Sequence, residues 1–170
     1  MDNVLLGYLF TAINYAFYCG SRFMQTKEKI LFMDLIAKIF TVAGLYCLGS
    51  LTGAYNMSMI FIMNIVCYVK ERKNWKLPLL YWIFEAVFIL ILVNTYNGIS
   101  SILVFICSSI TLLANWWLSP QYMRISAICG CTLYLAYQIS IKNWAGLLEI
   151  IAFLSNLLSY LKYRKNCSQP

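Results

Sequence analysis

The chain has 170 residues, 62% of them hydrophobic and only 11% charged, with a mean hydropathy of +0.72. A soluble domain carries about 25% charged residues, so this composition cannot clothe a water-soluble globule and points to a bilayer. The net charge of +7 has no polar groove-binding face to occupy, which argues against nucleic acid and leaves loop topology as its reading.

A helix needs about 20 apolar residues to cross about 30 Å of hydrocarbon. In chain order, candidate spans cover residues 3–21, 30–48, 50–69, 77–95, 97–117, 124–140 and 143–162. The first span follows Met1-Asp2-Asn3, which lacks the basic start of a secretory signal, and no A-x-A exit follows it. The breaks are short: Arg22–Lys29, a Gly49–Gly53 turn, Lys70–Lys76, Asn94–Gly98, Leu118–Arg124 and Ser140–Asn143. Seven such spans consume nearly the whole chain and leave no room for a soluble domain.

Charge tests this count. With seven spans, one side collects Arg22, Lys27, Lys29, Lys70, Arg72, Lys73, Lys76, Arg124, Lys162, Arg164 and Lys165, and the other only Lys142. Lys38 lies within a span. The positive-inside rule then puts the N-terminus outside and the C-terminus in the cytoplasm. Merging any two neighbouring spans would scatter the basic loops over both faces.

Several chemistries are excluded or disfavoured. Histidine is absent, which removes imidazole triads, imidazole proton shuttles and zinc sites with histidine ligands. No G-x-x-x-x-G-K-[ST] loop exists to cradle phosphate. Most of the cysteines (19, 47, 67, 107, 129, 131 and 167) fall in apolar runs, where cysteine behaves as a small hydrophobe. The Cys129-x-Cys131 spacing puts its thiols on different helix faces and has no second pair. No metal or other cofactor is expected, and without a base for a nucleophile the chain is not expected to be an enzyme.

Span three ends Asn64-Ile-Val-Cys-Tyr-Val-Lys-Glu-Arg-Lys-Asn74, and span seven ends Asn156-Leu-Leu-Ser-Tyr-Leu-Lys-Tyr-Arg-Lys-Asn166. Six of the eleven positions are identical at an offset of 92. Two cytoplasmic helix ends would share basic residues anyway, but not the Asn and Tyr inside the span. Thr41 and Tyr46 echo Thr132 and Tyr137 at an offset of 91. Both basic caps fall on one side, so the halves are parallel, and span four restores the orientation between them. The expected fold is all-α in a 3+1+3 plan. It has a first three-helix bundle over 1–74, a linker span over 75–96 and a second bundle with a short basic tail over 97–170. Parallel repeats are a recurring transporter plan, with the site at the repeat interface.

Three stretches carry a resemblance: Ile62-Met-Asn64 with its basic exit, Glu149-x6-Asn156 with its basic exit, and Asn115-Trp-Trp-Leu-Ser-Pro-Gln-Tyr-Met-Arg124. They resemble the YgjV-like bacterial inner-membrane protein family, itself similar to the SWEET/MtN3 (PQ-loop) group of triple-helix-bundle transporters. The resemblance implies an inner-membrane location and an Asn in the third helix of each bundle lining a central solute site. Asn64 and Asn156 match those positions. The chain departs from the pattern at the Pro-Gln pair, which that group carries in the first helix of each bundle. Here Pro120-Gln121 follows span five and span one offers only Met24-Gln25.

Ionisable groups at membrane depth cost about 2.5–3.5 kcal/mol each on insertion scales. Four need a reason: Asp34, Lys38, Glu85 and Glu149. Asp34 and Lys38 stand at i, i+4, suited to neutralising each other, or Lys38 bridges to Glu85. Glu85 lies mid-way along the linker span, where a structural pairing role is favoured. Glu149 shares a helix face with Asn156 two turns on, about 10.5 Å along the axis, and its repeat partner is Met57. It is either a hydrated acid near the outer interface or a solute-contacting or proton-coupling carboxylate.

Asn64 and Asn156 read as site residues or as interhelical glue. Trp116, Trp117, Trp144, Tyr46, Tyr122, Tyr137 and Tyr163 read first as an interfacial belt. Asn14, Tyr15 and Trp116 are candidates to line a cavity. The expected function is a facilitator or transporter of a small solute by alternating access of two bundles. A non-transporting receptor or partner-binding subunit on the same fold is the alternative. The expected partners are the lipid bilayer and the solute, with a homodimer left open.

Overall fold

A computed structural model describes residues 2–164, apart from the side chains of residues 2, 52 and 145. Lys165, Asn166 and Cys167, counted in the basic tail, the repeat and the cysteine set, lie outside the described residues. Seven α-helices follow in order: α1 (Asp2–Arg22), α2 (Lys27–Cys47), α3 (Leu51–Lys73), α4 (Pro78–Thr95), α5 (Ile99–Trp117), α6 (Pro120–Ser140) and α7 (Glu149–Tyr163). A 3-10 turn over Trp144–Leu148 leads into α7.

The helix ends have local causes. Thr26 caps α2, its hydroxyl oxygen accepting from the Lys29 N–H at 3.4 Å. Gly49 takes a φ of +74° in the turn before α3, a conformation open to a residue without a Cβ. Asn74 ends α3 in the left-handed region, which Asn tolerates better than most residues. Pro78 and Pro120 open α4 and α6, where the missing N–H costs nothing and the ring presets φ. Pro120 therefore starts α6 four residues before the expected boundary at Arg124, and the Pro-Gln pair lies in its first turn.

Among the described residues, four helices (α1, α2, α4 and α5) are long and apolar enough to cross a membrane. α3 and α6 match them in length but carry polar residues that face inward, including Asn64, Gln121, Arg124 and Gln138. α7 has only 15 residues, a rise of about 22 Å, and the five-residue 3-10 turn adds about 10 Å.

Helix packing forms a closed ring. α1 packs on α2 and α2 on α3; α5 packs on α6 and α6 on α7; α3·α5 and α1·α7 contacts join the two triplets. The ring order is thus α1-α2-α3-α5-α6-α7. α4 packs on α3 and α5 from outside, and only 11% of its apolar window is buried. Its exposed Leu79, Trp82, Leu90 and Val93 belong to an apolar exterior far larger than a soluble monomer carries. α1 and α2 approach closely at two glycines: a Cβ on Gly7 would lie 3.2 Å from the Gly44 carbonyl oxygen. The main core gathers Met57, Ile60, Met63, Phe88, Val104 and Leu112 where α3, α4 and α5 meet. A smaller cluster joins Tyr15, Cys131 and Ala152 across α1, α6 and α7.

Candidate functional site

A cavity of about 80 Å³ lies inside the ring. All six ring helices line it and α4 does not: Asn14 and Tyr15 from α1, Asp34 and Lys38 from α2, Asn64 from α3, Asn115 from α5, Cys131 from α6 and Glu149 from α7 are among its walls. This polar lining explains the polar positions of α3. On a 3.6-residue period they fall on the face turned from lipid.

Glu149 opens α7 beside the 3-10 turn and is buried rather than a hydrated interfacial acid. The Tyr15 hydroxyl donates a hydrogen bond to its Oε2, tying α7 to α1 across 134 residues of chain. Asn14, beside Tyr15, presents an Oδ1 that is buried without a hydrogen-bond partner. On the other side of the cavity, Asn115 Nδ2 donates to Asn64 Oδ1 at 2.7 Å. The Nδ2 of Asn64 is buried and unpartnered. A buried orphan of this kind costs about 1–3 kcal/mol, and both asparagines stand in the cavity wall.

The expected ion pairing is corrected. Asp34 does not pair with Lys38: it binds the Arg22 guanidinium and accepts from Ser21 Oγ at 2.6 Å. Arg22 ends α1 just across the turn from α2, so its guanidinium reaches Asp34, and it also stacks 4.3 Å over the Tyr18 ring. Lys38 does not bridge to Glu85 either. Its Nζ lies 3.9 Å from Met57 Sδ and, among the described residues, forms no ion pair. Glu85 accepts from Ser109 Oγ at 2.7 Å and ties α4 to α5, outside the cavity.

Two other expected site residues lie elsewhere. Asn156 is buried but does not line the cavity. Its Nδ2 donates to the Ala152 carbonyl of its own helix at 2.8 Å and sits 3.7 Å from Cys131 Sγ, behind the cavity wall. Trp116 packs among Tyr81, Phe84 and the Lys70 ammonium, a core contact of α3, α4 and α5. Lys70 Nζ also donates to its carbonyl at 2.6 Å. The belt reading fits the exposed Tyr46, Trp117, Tyr122 and Trp144 but not the buried Trp116 and Tyr137. Tyr137 instead shares a 2.6 Å hydrogen bond with Ser50.

The basic end of α1 carries a structure that sequence reasoning missed. α7 captures its last carbonyls in register: Ser155 Oγ donates to Cys19 O at 3.2 Å, Ser159 Oγ to Arg22 O, and Tyr163 OH to Phe23 O at 2.8 Å. From α6, Arg124 donates to Arg22 O at 3.2 Å and to Met24 O at 2.7 Å. The last carbonyls of a helix have no intrahelical donors, and the two helices of the second triplet supply them. The i, i+4, i+8 spacing of Ser155, Ser159 and Tyr163 was the available signal.

An apolar exterior and a polar interior together define a helical membrane protein with a central polar cavity. Residues 5–167 match the family model described as Imp-YgjV, bacterial inner membrane protein, and the chain belongs to that family. No curated protein and no solved structure matches it.

Proposed function

We propose that this protein moves a small polar solute across the inner membrane through the ring of six helices, by alternating access of its two helix triplets. One observation carries the reading: a polar cavity with buried, unpartnered amide atoms, lined by every ring helix and by none of the outer helix.

The packing pattern supports the parallel 3+1+3 repeat. Exchanging α1, α2, α3 with α5, α6, α7 maps every ring contact onto another ring contact, including α3·α5 onto α7·α1. α4 has no counterpart, as a linker requires. In this reading all seven helices cross the bilayer, the N-terminus is outside and the basic ends are cytoplasmic. The protein is not an enzyme, and one chain completes the pathway without a second copy. With histidine absent, Glu149 is where proton coupling would sit.

The test begins with metabolites compared between cells lacking and overproducing the protein, followed by liposome flux of any solute that changes. Asn64→Ala and Glu149→Gln are expected to lower that flux at least tenfold, while Asn156→Ala changes it less than threefold. Flux untouched by the first two substitutions would remove the cavity as the site. Stable co-purification of one partner, with no flux of any solute, would favour the receptor reading.

A further inference from the structure

The cavity is electrically sided. Its charged walls hold two cations, Arg22 and Lys38, and two carboxylates, Asp34 and Glu149. Arg22 and Asp34 consume each other in a buried pair. Lys38 and Glu149 remain, on different helices and without an ion pair among the described residues. Each has a cavity-lining asparagine on the adjoining helix. Lys38 on α2 and Asn64 Nδ2 on the adjoining α3 offer donors. Glu149 on α7 and Asn14 Oδ1 on the adjoining α1 offer acceptors, linked through Tyr15. In the ring order, α3 and α7 are three places apart, so Asn64 and Glu149 lie across the space from each other, while Lys38 and Asn14 stand on the adjoining α2 and α1. Asn14 and Asn64 are both more than nine-tenths buried.

We infer that the solute is a small zwitterion of the α-amino acid class, its carboxylate held by Lys38 and Asn64 and its ammonium by Glu149 and Asn14. This rests on the transport reading and deepens it. A zwitterion answers both poles at once and adds no net charge to a low-dielectric interior, where an uncompensated charge is costly. A simple anion would leave the Glu149–Asn14 pole unanswered. A cation would leave Lys38 and Asn64 so, and a neutral amide would answer each charge with a hydrogen bond but with no opposite charge.

The test uses four three-carbon molecules of nearly one shape: alanine (zwitterion), lactate (anion), alaninamide (cation) and lactamide (neutral). Affinity for the purified full-length protein in detergent is measured by calorimetry. Alanine is expected to bind at least tenfold tighter than the other three. Lys38→Gln should weaken alanine at least tenfold and shift the preference toward alaninamide; Glu149→Gln should weaken it similarly and shift the preference toward lactate. Lys38→Arg and Glu149→Asp, which keep the charges, should retain the alanine preference and guard against loss of fold. Equal or tighter binding of lactate, alaninamide or lactamide by the wild type would overturn the inference. So would binding of none of the four, or charge-removing variants that leave the preference unchanged. Asn64-dependent flux of some other solute without alanine binding would overturn the zwitterion and leave transport standing. Alanine binding without flux supports the ligand class and removes transport.

Discussion

At the scale of single residues, the molecule handles each buried charge differently, and the difference is measurable. Asp34 is one half of a buried ion pair with Arg22. Removing one partner of such a pair typically costs about 3–5 kcal/mol, because the other charge is left buried and uncompensated. Asp34→Leu is expected to lose that much stability in denaturant titrations in detergent, and adding Arg22→Met should recover most of it. Lys38→Met should lose far less, since it forms no ion pair among the described residues; equal losses at both positions would restore the Asp34–Lys38 pair. Helix periodicity put Asp34 and Lys38 on one face, which they share. It could not show that a cation from the preceding helix arrives first. Asn156 teaches a similar point: it matches Asn64 in sequence and burial, yet its amide bonds to its own helix while Asn64 lines the cavity.

At the scale of helices, close approach sets what the interfaces tolerate. Gly53 on α3 lies beneath the Tyr137 ring of α6, and a Cβ there would overlap the hydroxyl oxygen and lie 3.0 Å from Cζ. Forcing extra volume into a packed contact costs about 1–3 kcal/mol. Gly53→Ala is expected to lower thermal stability by that order, and Tyr137→Phe, which removes the hydroxyl, should return part of it in the double variant. Strictly additive losses would show that the two helices do not meet there. Helix number and most boundaries were legible, since apolar runs, prolines and glycines mark them locally. The early start of α6 was missed because Gln121 and Arg124 read as a polar loop. They are buried against α1 and α7, where Gln121 Nε2 donates to Tyr160 O at 2.9 Å.

At the scale of the whole molecule, the distribution of charge predicts orientation. Alkaline phosphatase fused after Asn97 is expected to be active, since that loop carries no basic residue, and the same fusion after Lys76 inactive. Activity at both points, or the reverse pattern, would contradict the proposed topology. The ring also predicts that α4 is peripheral: its long exposed apolar face contacts lipid rather than solute.

What the sequence determined alone is the class of the protein, its helix count and the uneven placement of its basic residues. Hydropathy and charge report the preference of each segment for lipid or water, and that preference acts locally. The sequence also marked Glu149 as a costly residue needing a purpose, and Asn64 and Asn14 as candidates to line a site. Only the tertiary structure decided which of them meet in one cavity, that Arg22 takes Asp34, and that Asn156 and Trp116 stand outside. Those outcomes depend on the rotation of each helix against its neighbours, which is set by side chains distant in the chain. Tyr15 meets Glu149 across 134 residues, and nothing local to either residue specifies that contact.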